Sequence, residues 1–178
     1  MRKMYNSKKR ITLIVGIILW LAVLLLLNPL FLRLTNRELQ KSEIEHVQSM
    51  GSNVIFNIDR VDASENLFKD VEIAGWAFIE HDGKDPDKKI SLIFSSGKES
   101  YVIPGELITR PDVYEAKTLQ NYIVPNNLNG FSGTFSPFAM RNGTYRMYLF
   151  VKENEELTGI VDTNRVYTVN FGNFTKLK

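Results

Sequence analysis

The spacing of apolar residues changes twice along the chain and divides it into three regimes. From Ile11 to Leu32 (ITLIVGIILWLAVLLLLNPLFL) apolar residues are almost continuous over 22 positions without a charge, and only Thr12 and Asn28 are distinctly polar. At about 1.5 Å of rise per residue this suffices to cross roughly 30 Å of hydrocarbon, so the pattern predicts a transmembrane helix over 11–32. The competing reading is a cleaved signal peptide, whose apolar core is shorter, about 7–15 residues, and ends in small residues. Here bulky residues (Pro29, Leu30, Phe31, Leu32) occupy the far end, which favours an uncleaved anchor. In 33–51 the apolar residues Leu39, Ile44, Val47 and Met50 recur at irregular helical spacing among charges, and Gly51 suits a C-terminal cap. That predicts a short helical juxtamembrane stalk.

Beyond Gly51 the period is two. Alternation is clear at Asn53–Arg60, Val71–Ile79, Ile90–Phe94, Glu99–Ile103, Gly130–Ser136, Thr144–Lys152 and Arg165–Phe171, with shorter candidates at Lys117–Val124 and Leu157–Val161. Gly97-Lys98 and Asn142-Gly143 are turn signals between or before strands. Seven to nine short strands with no long helical pattern between them predict an all-β, antiparallel, Ig-like β-sandwich over 52–178. Thr144–Lys152 is apolar on both faces apart from Arg146, which places it centrally in a sheet. Trp76 in an early strand invites comparison with the core tryptophan of immunoglobulin-like sandwiches.

Charge fixes the topology. Residues 1–10 carry five basic groups (Arg2, Lys3, Lys8, Lys9, Arg10) and no acid, and form a basic tail that belongs on the cytoplasmic side. The expected arrangement is a single-pass cell-membrane protein with its N-terminus inside and the C-terminal domain outside, the lipid bilayer being its first partner. Of 22 basic residues six lie at or before Arg33, so 16 face all 20 acids from Leu34 onward, a net charge of −4. A mildly acidic domain argues against nucleic-acid binding. The absence of cysteine excludes a disulfide framework, a thiolate metal site and a cysteine nucleophile.

Candidate chemistry is sparse. His46 and His81 stand apart without ligand spacing, so no metal site is expected, and no cofactor motif is present. The segment Asp82 to Lys89 is acidic but interleaved with Lys84, Lys88 and Lys89, and reads as a solvated turn rather than a calcium loop. Ser132 and Ser136 lack a nucleophile elbow, and Asp112 with Glu106 or Glu115 does not form a matched acid–base pair. The sequence therefore predicts no enzyme. Arg110 and Asp112 flank Pro111, which fixes the local backbone. Two readings stay open: a clasp that locks a loop, or a sugar or anion site lined by Arg110, Asp112, Tyr114 and Tyr122.

Four motifs occur in the order Gly75-Trp76-Ala77, Arg110-Pro111-Asp112-Val113, Gly130-Phe131 and Asn142-Gly143-Thr144-Tyr145-Arg146. This order resembles a poorly characterised type of membrane-anchored, Ig-like extracytoplasmic domain of Gram-positive bacteria. The resemblance covers roughly residues 70–170. It implies a companion of surface-polysaccharide machinery with an accessory or binding role and no catalytic residues. The expected function is a membrane-tethered extracytoplasmic interaction module acting on an envelope protein. The alternative is a carbohydrate-binding β-sandwich at the cell surface.

Overall fold

The computed structural model describes residues 13–24, 37–39, 53–63, 70–80, 88–125, 127–153 and 158–177. The chain forms two compact units, Met1–Thr35 and Asn36–Lys178. In the first, residues 13–24 are helical and expose apolar side chains on every face, Trp20 among them. Among the described residues no helix is long and apolar enough to cross a membrane. Residues 11–12 and 25–32 of the expected span lie outside the described residues.

The second unit is a two-sheet antiparallel β-sandwich. Its strands are β1 (Arg37–Leu39), β2 (Val54–Asp62), β3 (Val71–Ile79), β4 (Lys89–Ser95) and β5 (Ser100–Pro104), followed by β6 (Glu106–Ile108), β7 (Gly130–Phe135), β8 (Gly143–Lys152), β9 (Thr158–Asn170) and β10 (Asn173–Lys176). One helix, α1 (Pro111–Leu119), stands between β6 and β7. The six-stranded sheet runs β1-β5-β4-β8-β9-β10 and the four-stranded sheet β2-β3-β7-β6. β8 is central, as its two apolar faces require.

Period-two alternation builds the core. Val71, Ile73, Ala77 and Ile79 of β3 and Phe131 and Phe135 of β7 meet Ile90, Leu92 and Phe94 of β4 and Tyr145, Met147, Leu149 and Val151 of β8. Phe94, Phe135, Tyr167 and Phe174 form one aromatic cluster, with ring centroids 4.5–6.0 Å apart.

Four expectations are corrected. Residues 37–39, expected in the helical stalk, form a strand against β5, pairing Arg37 with Val102 and Leu39 with Ser100. The free N–H and C=O groups along β5 offer an extended segment more hydrogen bonds than an isolated polar helix retains in water. The folded unit therefore begins near residue 36 rather than 52, and the remaining stalk positions (33–36 and 40–51) lie outside the described residues. The Lys117–Val124 strand is not formed. Its first residues complete α1, and Asn121 reverses the chain with a left-handed φ of 64°. Leu157–Val161 and Arg165–Phe171 merge into β9, with a bulge at Thr163–Asn164 where Asn164 takes φ 56° and Thr163 Oγ1 donates to the Met147 carbonyl. Trp76 lies on the outer face of the four-stranded sheet, not in the core between sheets. It stacks on Phe78 and lies beneath Lys117 of α1.

Candidate interaction site

The long β6–β7 connection, residues 109–129, carries the sequence-predicted site. Pro111 opens α1 at its first turn, where a missing N–H costs nothing, and Asp112 suits the helix N-terminus. Arg110 is thereby fixed at the residue before the helix. Its Nε and Nη2 donate to the two oxygens of Asp112, at 2.9 and 2.8 Å. Its Nη1 donates to Asp59 Oδ2 at 2.7 Å. Asp59 is the extra residue of a bulge in β2: Ile58 opposes Gly75 and Arg60 opposes Ala74, leaving Asp59 without a counterpart.

Two glycines make this knot possible. A Cβ on Gly75 would lie 2.2 Å from the Asn57 carbonyl oxygen, so only glycine tolerates the bulged strand there. A Cβ on Gly130 would lie 2.7 Å from Arg110 Cγ, so the arginine stem runs directly over the start of β7. Three of the quoted motifs thus meet through Gly75, Arg110 and Gly130. Donating to Asp112 first, then to Asp59, pushes the Arg110 guanidinium above its ordinary value, and accepting from Arg110 holds Asp112 below the usual carboxylate range.

The two tyrosines are placed elsewhere. Tyr114 is an exposed residue of α1. Tyr122 covers the buried ring of Phe78 edge-on at 6.4 Å and shares Lys117 with Trp76. The Tyr114 main-chain N–H donates to the Arg110 carbonyl at 3.1 Å in the first turn of α1, but among the described residues the Arg110 guanidinium donates to Asp112 and Asp59 and to neither tyrosine. Of the clasp and the ligand site, the geometry has the elements of the clasp: the guanidinium donates to two internal carboxylates.

The same connection is unusually apolar at its surface. Tyr114, Leu119, Tyr122 and Ile123 are exposed, Leu119 most fully at 85%, and so is Ile108 at the end of β6. Outside this stretch, the large exposed apolar residues described in the second unit are Phe171 and Leu177.

A second cluster escaped the reading of the sequence. Lys88, expected in a solvated turn, is buried. Its Nζ lies 2.8 Å from Glu153 Oε1 and 3.4 Å from Asn129 Oδ1, and the side chains of Lys88 and Glu153 are fully enclosed. Burial lowers the Lys88 ammonium pKa against the pull of Glu153. The signal was parity. Lys88 precedes Ile90, Leu92 and Phe94 by even steps, Glu153 follows Leu149 and Val151, and Asn129 precedes Phe131, Gly133 and Phe135. All three extend the inward-facing register of their strands. Residues 81–87, with the acidic turn and His81, lie outside the described residues, as does His46. Among the described residues no group of three His, Cys, Asp or Glu side chains could hold a metal.

Comparison with protein-family models, with curated proteins and with solved structures gives no match to this chain.

Proposed function

We propose that this chain is a membrane-tethered, extracytoplasmic, non-enzymatic module that docks a protein partner at the cell surface, as an accessory of envelope or surface-polysaccharide assembly. The observation that carries the reading is the apolar surface from the end of β6 along the β6–β7 connection, where five large side chains face solvent within 16 residues, 108–123. Isolated exposed apolar groups are ordinary, whereas a run of them on one rigidly clasped connection is what a partner covers. The anchor is supported by the charge-free run 11–32 behind five basic residues.

An Ig-like assignment of the sandwich has two supports. The orders β2-β3-β7-β6 and β5-β4-β8-β9 have the adjacency A-B-E-D and C′-C-F-G of immunoglobulin-type sheets. Tyr145, at the start of the strand in the F position, has its hydroxyl 2.9 Å from the Arg141 carbonyl, the arrangement of a tyrosine corner.

The test places a photo-activatable residue at Leu119 of the full-length chain in cells, with Lys98 at the far hairpin as control. A discrete protein adduct from position 119 alone, lost on Ile123→Asp, is the expected result. Equal labelling from both positions would defeat the reading. A C-terminal reporter active only outside the membrane checks the topology. The carbohydrate-binding alternative is favoured by the exposure of Asp112, 64% at its side chain, and of Tyr114 on the same short helix. Glycan binding abolished by Tyr114→Ala, with the fold intact, would establish it instead.

A further inference from the structure

Lys88, Asn129 and Glu153 bring an amine, a carboxamide and a carboxyl group together in a closed site that the docking role does not use. Lys88 enters β4 of one sheet, Asn129 enters β7 of the other, and Glu153 leaves β8. All three are buried, at 3%, 0% and 0% exposure. Each is held in place. Asn129 accepts the Ala77 N–H at its main-chain oxygen, at 2.9 Å, and Glu153 Oε1 accepts the Ile79 N–H at 3.2 Å. Lys88 Nζ reaches both Glu153 Oε1 and Asn129 Oδ1. The Asn129 amide nitrogen is buried without a hydrogen-bond partner.

From this juxtaposition we propose that Lys88 and Asn129 become joined by an intramolecular isopeptide bond, with Glu153 as the proton carrier, stapling the two sheets together. In a dry site a charged Lys–Glu pair gains little over its neutral form, and burial already favours the uncharged amine. The proton passes from Nζ to the Glu153 carboxylate. The Nζ lone pair then attacks Asn129 Cγ while the Glu153 acid donates to Oδ1. Glu153 next moves a proton from Nζ to Nδ2. The Cγ–Nδ2 bond breaks as the Oδ1 hydroxyl gives up its proton through Glu153 to the departing ammonia, which leaves as ammonium, and the Nζ–Cγ amide remains. Nothing is oxidised or reduced, and Glu153 is regenerated. Enforced proximity supplies the rate that an amine and an amide lack in free solution. The bond would span 41 residues of chain and tie sheet to sheet in a sandwich that has no cysteine for an inter-sheet disulfide.

The test uses the full-length chain purified in detergent. Its intact mass should fall short of the sequence by one ammonia, about 17 Da. Cyclisation of Asn129 onto the Gly130 nitrogen would release the same ammonia, so trypsin digestion decides. A branched peptide joining residues 85–89 to 118–141 is expected from the wild type. Glu153→Gln keeps an acceptor for the Ile79 N–H but cannot carry the proton, and Lys88→Arg lacks the amine. Both should give linear peptides only. Linear peptides with intact Lys88 and Asn129 from the folded wild type would overturn the proposal, as would a succinimide at Asn129. An undiminished branch in Glu153→Gln would remove Glu153 from the mechanism.

Discussion

Replacing Arg110 with alanine separates a structural knot from a ligand site, because the two make opposite predictions for stability. The side chain is 29% exposed, so its ion pairs are partly screened. The tertiary pair with Asp59 is worth about 0.5–1 kcal/mol in such a setting. The stem over Gly130 adds about 0.8 kcal/mol for each methylene fully removed from water, of which one or two qualify. Leaving Asp59 on its bulge without a cationic partner adds a further fraction. The total expected loss is about 2 kcal/mol, or roughly 6–8 °C in the melting temperature of a unit this size. Urea denaturation of a fragment beginning at residue 36 should show the midpoint fall with the slope unchanged. The sign of the pH dependence is fixed. Arg110 holds Asp112 below its ordinary value, so that contribution is present above about pH 4 and is lost as acid protonates the carboxylate. Wild type and Arg110→Ala should therefore converge in acid. A loss below about 0.5 kcal/mol at pH 7 with unchanged acid behaviour would refute the clasp and return Arg110 to the ligand-binding reading.

Gly75→Ala should cost about 3 kcal/mol or more, since the clashing atom is a backbone oxygen that cannot move without undoing the bulge; a thermal melt of the purified domain checks it. Tyr145→Phe removes a hydroxyl that serves both Glu99, at 2.8 Å, and the Arg141 carbonyl, and should cost about 1–2 kcal/mol in urea denaturation. Burial first of all raises the Tyr145 and Tyr167 pKa values, so their contribution is present below about pH 10 and is lost as pH rises further; Tyr145→Phe should show a shallower alkaline decline in stability. A fragment starting at residue 36 should be more stable than one starting at 52, because the shorter one strips β1 from the β5 edge; equal melting temperatures would make that pairing incidental.

The sandwich was legible where strands are long and half-buried. β3 has the limits its alternation implies, and β8 is central because both its faces are apolar. Elements too short to hold a period were not legible. β1 and β6 have three residues each, and at a sheet edge pairing is set by the neighbour's free hydrogen bonds rather than by side-chain pattern. Helix α1 was hidden for a related reason. Among its nine residues only Val113 is buried, so it carries no apolar stripe, and it is held instead by the Arg110 knot at one end and Lys117 over Trp76 at the other.

The candidate site divides along the same line. That Arg110 and Asp112 act together could be read from a proline-fixed pair two residues apart. Asp59 could not, because the bulge that frees it depends on Gly75 of a different strand, and only pairing register reveals that they face each other. The Lys88–Asn129–Glu153 cluster is the converse case. Its three members are distant in sequence, yet each sits on the inward parity of a strand that was itself legible. Polar residues at such positions contradict the pattern around them. A contradiction repeated on three converging strands marks groups that were brought together, and a buried amine beside a buried amide has chemistry that a solvated one lacks.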